Sequence, residues 1–321
     1  MSGFWGMMAA AAIATTPLPL VDQDVHIGQG DQTLYGAMIA PDPRRPGSSR
    51  PGPAVLMIGG SGPSDRNGDD TKSGERTNDL KLIAEGLAAQ GIGSLRTDKR
   101  GTAASAPAEP KPQDLRIGTY VDDAVSWARF LRAQPGVRCV VILGHSEGAF
   151  IAALAAQKVK TCGVVSVSGT SKDFGALVES QNALARRSPA LIARTHEIIL
   201  SLRAGKPVAD VPPELKGVFG PDAVTYTMSM INLNPAAELG KVRAPVLIIQ
   251  GDNDLQVGVD DAKALAAAKP GSRLVIVPGM THVMKLAAKD LPSNFKTYIN
   301  PSLPLAPEVV PAIVEFVREL R

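Results

Sequence analysis

The sequence predicts an α/β fold: a mostly parallel sheet with helices on both faces and a helical cap insertion. Three observations carry this. Continuous apolar runs, as in Ala54-Val55-Leu56-Met57-Ile58, alternate with segments whose apolar residues repeat at helical spacing. Strands that are apolar throughout belong to sheets covered on both sides. One such run, Val140-Val141-Ile142-Leu143, passes through Gly144-His145-Ser146-Glu147-Gly148 directly into a helical segment. The alternation breaks between about residues 172 and 240, where helical stretches follow one another with no buried strand between them.

In chain order, 24–27 and 33–40 read as two strands joined by the hairpin signal Gly28-Gln29-Gly30-Asp31. A Pro/Gly/Ser/Arg loop over 41–53 precedes the apolar strand, which ends in Gly59-Gly60-Ser61-Gly62-Pro63. After a polar loop, Leu80, Ile83, Ala84, Leu87 and Ala88 mark a helix with Asn78 as its cap and Gly91 as its stop. A strand over 92–96 leaves through Thr97-Asp98-Lys99-Arg100-Gly101. Val121, Ala124, Val125, Ala128 and Leu131 define a second helix, with Asp122 and Asp123 in its first turn and Arg129 and Arg132 in its last, as the helix dipole favours. Strands follow at 137–143, 163–167, 245–249 and 273–277. Helices run from the serine turn to about residue 158, across 262–268 and over 311–320. Within the break, 177–185 and 191–202 have helical spacing. Insertions at the carboxyl ends of strands lie over active sites, so this segment is read as a cap.

A chain of 321 residues with 44% apolar content can bury a full core. A net charge of +3 with interspersed signs leaves no nucleic-acid or membrane-surface footprint. Cys139 and Cys162 each sit in or beside an apolar run and read as two buried thiols rather than a disulfide. No metal-ligand spacing is present, and no metal or cofactor is expected.

The serine turn carries the chemistry. A nucleophile on a tight strand-to-helix turn needs small residues packed around it, which Gly144 and Gly148 supply, and the following helix aims its N–H groups at the developing oxyanion. The base is found by elimination among four histidines. His26 lies in the hairpin, His196 in the cap and His145 in the serine turn itself, whereas His282 follows the last apolar strand. The carboxylate comes from Asp252-Asn253-Asp254, with Asp254 preferred and Asp252 read as a turn former. The order Ser146, Asp254, His282 is that of α/β-hydrolases. The N–H groups of Glu147 and Ser61 are the expected oxyanion hole. A dinucleotide site at Gly60-x-Gly62 fails for want of a third glycine and a following helix, and no Gly-Lys-Ser/Thr follows to make a P-loop.

These motifs resemble the α/β-hydrolases of the bacterial esterase and serine-aminopeptidase-like group. The group's Gly-Ser-Gly-Pro-x-Asp-Arg loop stands here as Gly60 to Arg66, its Asp-Lys-Arg-Gly as Asp98 to Gly101, and its Gly-His-Ser-Glu-Gly as Gly144 to Gly148. The resemblance covers about residue 24 to the end and is weakest in the cap. It departs at Gly59, where a histidine is common, and at Thr281, where asparagine often precedes the histidine. Asp65, Arg66, Lys99 and Arg100 are expected in buried ion pairs that brace the loops.

The reading is a serine hydrolase acting on small-molecule carboxylic esters. A serine aminopeptidase or amidase on the same triad is the alternative, and a catalytically silent binding module the third. An aminopeptidase needs a carboxylate for the substrate's ammonium; the cap offers Glu179, Glu197, Glu214 and Glu238. The stretch from Tyr226 to Ile231, with Met228, is apolar enough to meet an acyl chain. Residues 1–20 are set apart as a leader or disordered segment, with 21–321 as one hydrolase domain. The apolar stretch 4–14 has the length of a secretory core but no basic residue before it, so both an exported and a cytoplasmic location stay open. It is too short for a stable membrane span.

Overall fold

A computed structural model describes residues 22–40, 51–70, 72–206 and 208–320. The expected leader at 1–20 and most of the loop at 41–53 lie outside the described residues. Among the described residues eight strands form one sheet: β1 (Gln23–Ile27), β2 (Leu34–Ile39), β3 (Gly52–Ile58), β4 (Ser94–Thr97), β5 (Val137–His145), β6 (Gly163–Val167), β7 (Val246–Gly251) and β8 (Arg273–Val277). Their spatial order is β1-β2-β4-β3-β5-β6-β7-β8. The pairs β1–β2 and β2–β4 are antiparallel and every later pair is parallel.

Helices connect the strands: α1 (Asp79–Ala89), α2 (Ile117–Arg132), α3 (Glu147–Lys158), then after β6 a run of α4 (Phe174–Leu184), α5 (Pro189–Arg203), α6 (Lys216–Phe219), α7 (Val224–Met230) and α8 (Pro235–Gly240). After β7 come α9 (Val259–Ala268), and beyond β8 α10 (Leu291–Lys296) and α11 (Val309–Glu319). The period of two along each strand divides the core. Leu56, Ile142, Val164 and Ile248 face the layer that holds α2 and α3, while Val55, Met57, Val141, Val165 and Leu247 face α1 and α11. This is why the strands read as unbroken apolar runs. The helices between β6 and β7 bring an apolar cluster of their own, including Val178, Ile198, Ile199, Leu202 and Phe219.

Differences from the expectation have local causes. Ile92 does not open β4; its N–H donates to the Leu87 carbonyl and, with Gly91 at φ +82°, closes the end of α1. Asn78 precedes α1 but its side chain caps nothing, since the residue is left-handed and its N–H donates to Asp69. The two thiols are wrong: Cys139 and Cys162 are joined by a disulfide with Cα atoms 5.9 Å apart. β5 and β6 are neighbours, and the Cys162 N–H donates to the Val140 carbonyl, so the register itself brings the two cysteines side by side.

Candidate active site

Ser146 sits between β5 and α3 with φ 54° and ψ −121°, a conformation a non-glycine residue rarely adopts. The turn is held by the Ser146 N–H donating to Val167 O and the Ala149 N–H donating to Ser146 O. The flanking glycines are required by close approach. A Cβ on Gly144 would fall 2.0 Å from Gly148 O, and one on Gly148 would fall 2.4 Å from Ile58 O. A Cβ on Gly60 would lie 3.4 Å from the Ser146 Cβ, so the loop after β3 passes directly beside the serine. Gly59 answers the departure noted above: a side chain there would strike Ser64 Oγ at 2.5 Å.

His282 follows β8 and is buried, and its Nδ1 lies 2.8 Å from Asp254 Oδ2. Asp254 is satisfied on all sides. Oδ2 also accepts from Gln250 Nε2, and Oδ1 accepts from the N–H groups of Gln256 and Val257. Burial raises the Asp254 pKa, but the charge and hydrogen bond of His282 and those two N–H groups outweigh it and leave it lowered. Burial works against protonating His282, yet the charge and hydrogen bond of Asp254, with the charges of Asp79 and Glu75, leave its pKa raised. Asp252 is exposed and accepts the Gly279 N–H at 2.6 Å, a turn-forming contact. Among the described residues Ser146 Oγ has no hydrogen-bond partner, so the structure joins Asp254 to His282 and leaves the serine free beside them.

Among the described residues His145 makes no hydrogen bond to Ser146. Its Nε2 donates to the His282 carbonyl at 2.9 Å, and Ser168 Oγ donates to the same oxygen at 3.1 Å, fixing the backbone that carries His282. Burial first, then the His282 charge, lower the His145 pKa to about 4, so its ring is neutral at pH 7. The basic residues of the two loop motifs are ion-paired. Arg66 grips Asp98 through two nitrogens, and Arg100 grips Asp123 in the same way. Asp65 accepts the N–H groups of Asn67 and Asp69 and shapes its own loop. Lys99 Nζ donates to Gly60 O at 3.0 Å and to Glu147 Oε1 at 2.9 Å, linking the loop after β3 to the first residue of α3.

Two cavities meet at Ser146, and Ser61 and Gln256 line both. One, about 70 Å³, lies under the helical insertion and is walled by Phe150, Phe174, Leu177, Met230 and Leu233, with Glu147 at its edge. The other, about 270 Å³, is polar and includes His282, Asp70, Glu75 and Tyr298. A larger recess of about 410 Å³ lies at the amino ends of β3, β4 and β5, and neither Ser146 nor His282 borders it.

The sequence pointed to the wrong methionine. Met228 is 41% exposed, while Met230, two residues on, is buried against the apolar cavity. The insertion's glutamates also lie elsewhere. Glu179 pairs with His196, Glu197 with Arg194 and Glu238 with Lys241, Glu214 is exposed, and none lines either cavity. Sequence reasoning missed Gln256, Asp70 and Glu75; Gln256 was within reach, two residues past Asp254 on the same loop. Among the described residues, no helix is long and apolar enough to cross a membrane.

The model of the Alpha/beta hydrolase family matches residues 79–288. The chain is 28% identical over 243 residues to the esterase EstD of Thermotoga maritima, which covers 74% of this chain and 56% of that protein. It therefore spans little more than half the length of that curated relative. In fold it is similar to Est1E from Butyrivibrio proteoclasticus (TM-score 0.57, 18% identity, 92% of this chain and 98% of that one). It is similar again to the Pyrococcus furiosus esterase Pf2001 (TM-score 0.56, 16% identity, 94% and 93%).

Proposed function

Because the chain belongs to the alpha/beta hydrolase family, we propose that it is a carboxylesterase working through an acyl-enzyme on Ser146, His282 and Asp254. The observation that carries this is the buried His282–Asp254 hydrogen bond, with His282 lining the same cavity as a serine held on a strained turn. The esterase name of the Thermotoga maritima relative agrees with it.

On this reading Ser146 Oγ attacks the ester carbonyl as His282 takes its proton. Asp254 holds the imidazole in the tautomer that leaves Nε2 free to accept and offsets the positive charge that forms. The N–H groups of Glu147 and Ser61 receive the oxyanion, and α3 contributes the positive end of its dipole. His282 returns the proton to the leaving oxygen, and water then repeats the sequence on the acyl-enzyme. The insertion between β6 and β7 serves as the cap, and Phe174, Leu177, Met230 and Leu233 give a short to medium acyl chain an apolar berth. No cofactor enters these steps.

The test is Ser146→Ala. Hydrolysis of p-nitrophenyl butyrate should fall by about 10⁴-fold or more and labelling by a fluorophosphonate should vanish, with the circular dichroism unchanged. Turnover and labelling that survive the substitution would remove Ser146 from the mechanism.

A further inference from the structure

The two cavities at Ser146 differ in one respect that matters chemically: His282 lines the polar one and not the apolar one. Acyl transfer forms a bond from Ser146 Oγ to the carbonyl carbon and breaks the bond from that carbon to the alkoxy oxygen. The electron pair of the broken bond stays on the alkoxy oxygen, and the serine's proton reaches it through His282. The leaving alcohol must therefore sit on the His282 side, and the acyl chain on the other.

The walls of that side are acidic. Asp70, Glu75 and Asp79 all line it, and no lysine or arginine does so among the described residues. The Glu75 carboxylate has no hydrogen bond or ion pair among the described residues. Asp70 Oδ1 accepts the N–H groups of Lys72 and Ser73, which leaves Oδ2 over the cavity next to Gly62. Asp79 is only 1% exposed; Oδ1 accepts the Leu80 N–H, and Oδ2 lies 3.8 Å from His145 Nδ1. Lys285 acts on Asp79 only through its charge, its Nζ donating to the Asn300 carbonyl. The Tyr298 side chain completes the wall, its hydroxyl accepting from Gln256 Nε2.

We propose that the polar cavity is the leaving-group site and that it selects esters whose alcohol carries a cation, an ammonium or quaternary amino alcohol. The proposal rests on the acyl-transfer reading above. A cation there would face Glu75 and Asp70 and could lie against the Tyr298 ring. Burial and the Asp70 charge already raise the Glu75 pKa, with His282 opposing. An α-ammonium on the acyl side would instead fall in the apolar cavity, away from these groups.

The experiment compares butyrylcholine with 3,3-dimethylbutyl butyrate, which has the same shape with a carbon in place of the nitrogen. The cationic ester should be favoured about tenfold or more in kcat/KM, and added salt should lower the ratio. In Glu75→Gln/Asp70→Asn the ratio should approach one; because both esters meet the same variant, general damage to the enzyme divides out. Equal rates on the two esters, a ratio untouched by the double substitution, or faster cleavage of glyceryl butyrate than of either would overturn the proposal. Should no ester be cleaved, p-nitrophenyl butyrate included, the acyl-transfer reading fails instead. Tetramethylammonium titrated calorimetrically into wild type and the double variant then reads the cavity alone. Binding weakened at least tenfold in the variant supports the cation site, and equal or absent binding overturns it.

Discussion

Replacing Lys99 by methionine should lower kcat while leaving KM nearly unchanged. The ammonium ties the Gly60 carbonyl to the Glu147 carboxylate, and these two residues adjoin or carry the proposed oxyanion donors, Ser61 N–H and Glu147 N–H. Removing such a donor outright costs about 10²–10³ in rate. Here the donors stay and only their spacing loosens, so a loss of roughly 10- to 100-fold is expected. Stability should fall as well. The side chains of Lys99 and Glu147 are 10% and 13% exposed, and stripping one partner from a buried pair costs about 3–5 kcal/mol. Residual access to water brings this nearer to about 2 kcal/mol. Lys99→Met/Glu147→Gln separates the two effects, since it leaves no orphaned charge. Its urea midpoint should recover to near wild type, but kcat should stay low because Gly60 is still untied. Steady-state kinetics on p-nitrophenyl butyrate and urea unfolding of both variants provide the readouts. A kcat within twofold of wild type, or a defect confined to KM, would refute the positioning role.

Asp254→Asn should reduce kcat by about 10⁴-fold through the wrong imidazole tautomer, while Asp252→Asn loses only a turn contact; the reverse ranking would reassign the acid. The proposed mechanism needs neutral His282, whose pKa is raised, so the rate should fall as pH drops through a value above the ordinary 6.5. A pH–rate profile flat to pH 5 would exclude that histidine as base. Asp79 is protonated in the fold up to about 7, chiefly because of burial, but only up to about 3.8 when unfolded. Its contribution to stability is thus complete below the lower value and lost as pH rises through the upper one. Asp79→Asn should therefore gain on wild type in urea midpoint between pH 4 and pH 8, and a constant difference would deny the shift.

The sheet was legible because burial on both faces leaves a strand with long unbroken apolar runs, as β3, β5 and β7 show. The serine turn was legible because close backbone approach admits only glycine at 144 and 148, a constraint written in residue identity. What escaped depended on neighbours rather than on identity. Nothing in the spacing of Cys139 and Cys162 says that β5 and β6 lie side by side, so the disulfide needed the strand order. Asp70 and Glu75 sit in an aperiodic polar loop, and only its path past His282 brings them to the same cavity. Met228 and Met230 differ by about half a turn of the short α7, less than sequence phase can resolve there.

The separate apolar cluster of the helical insertion has a bearing on how this protein could change over time. The serine, histidine and aspartate hang from strand ends rooted in the main core, and Met230 and Leu233 pack with that core, whereas Phe174 and Leu177 sit on α4 of a segment that carries packing of its own. Substitutions that reshape one wall of the apolar cavity need not disturb the turn that presents Ser146. On the proposed reading, acyl preference can then drift, or be evolved in the laboratory, along a path that leaves the chemistry where it is.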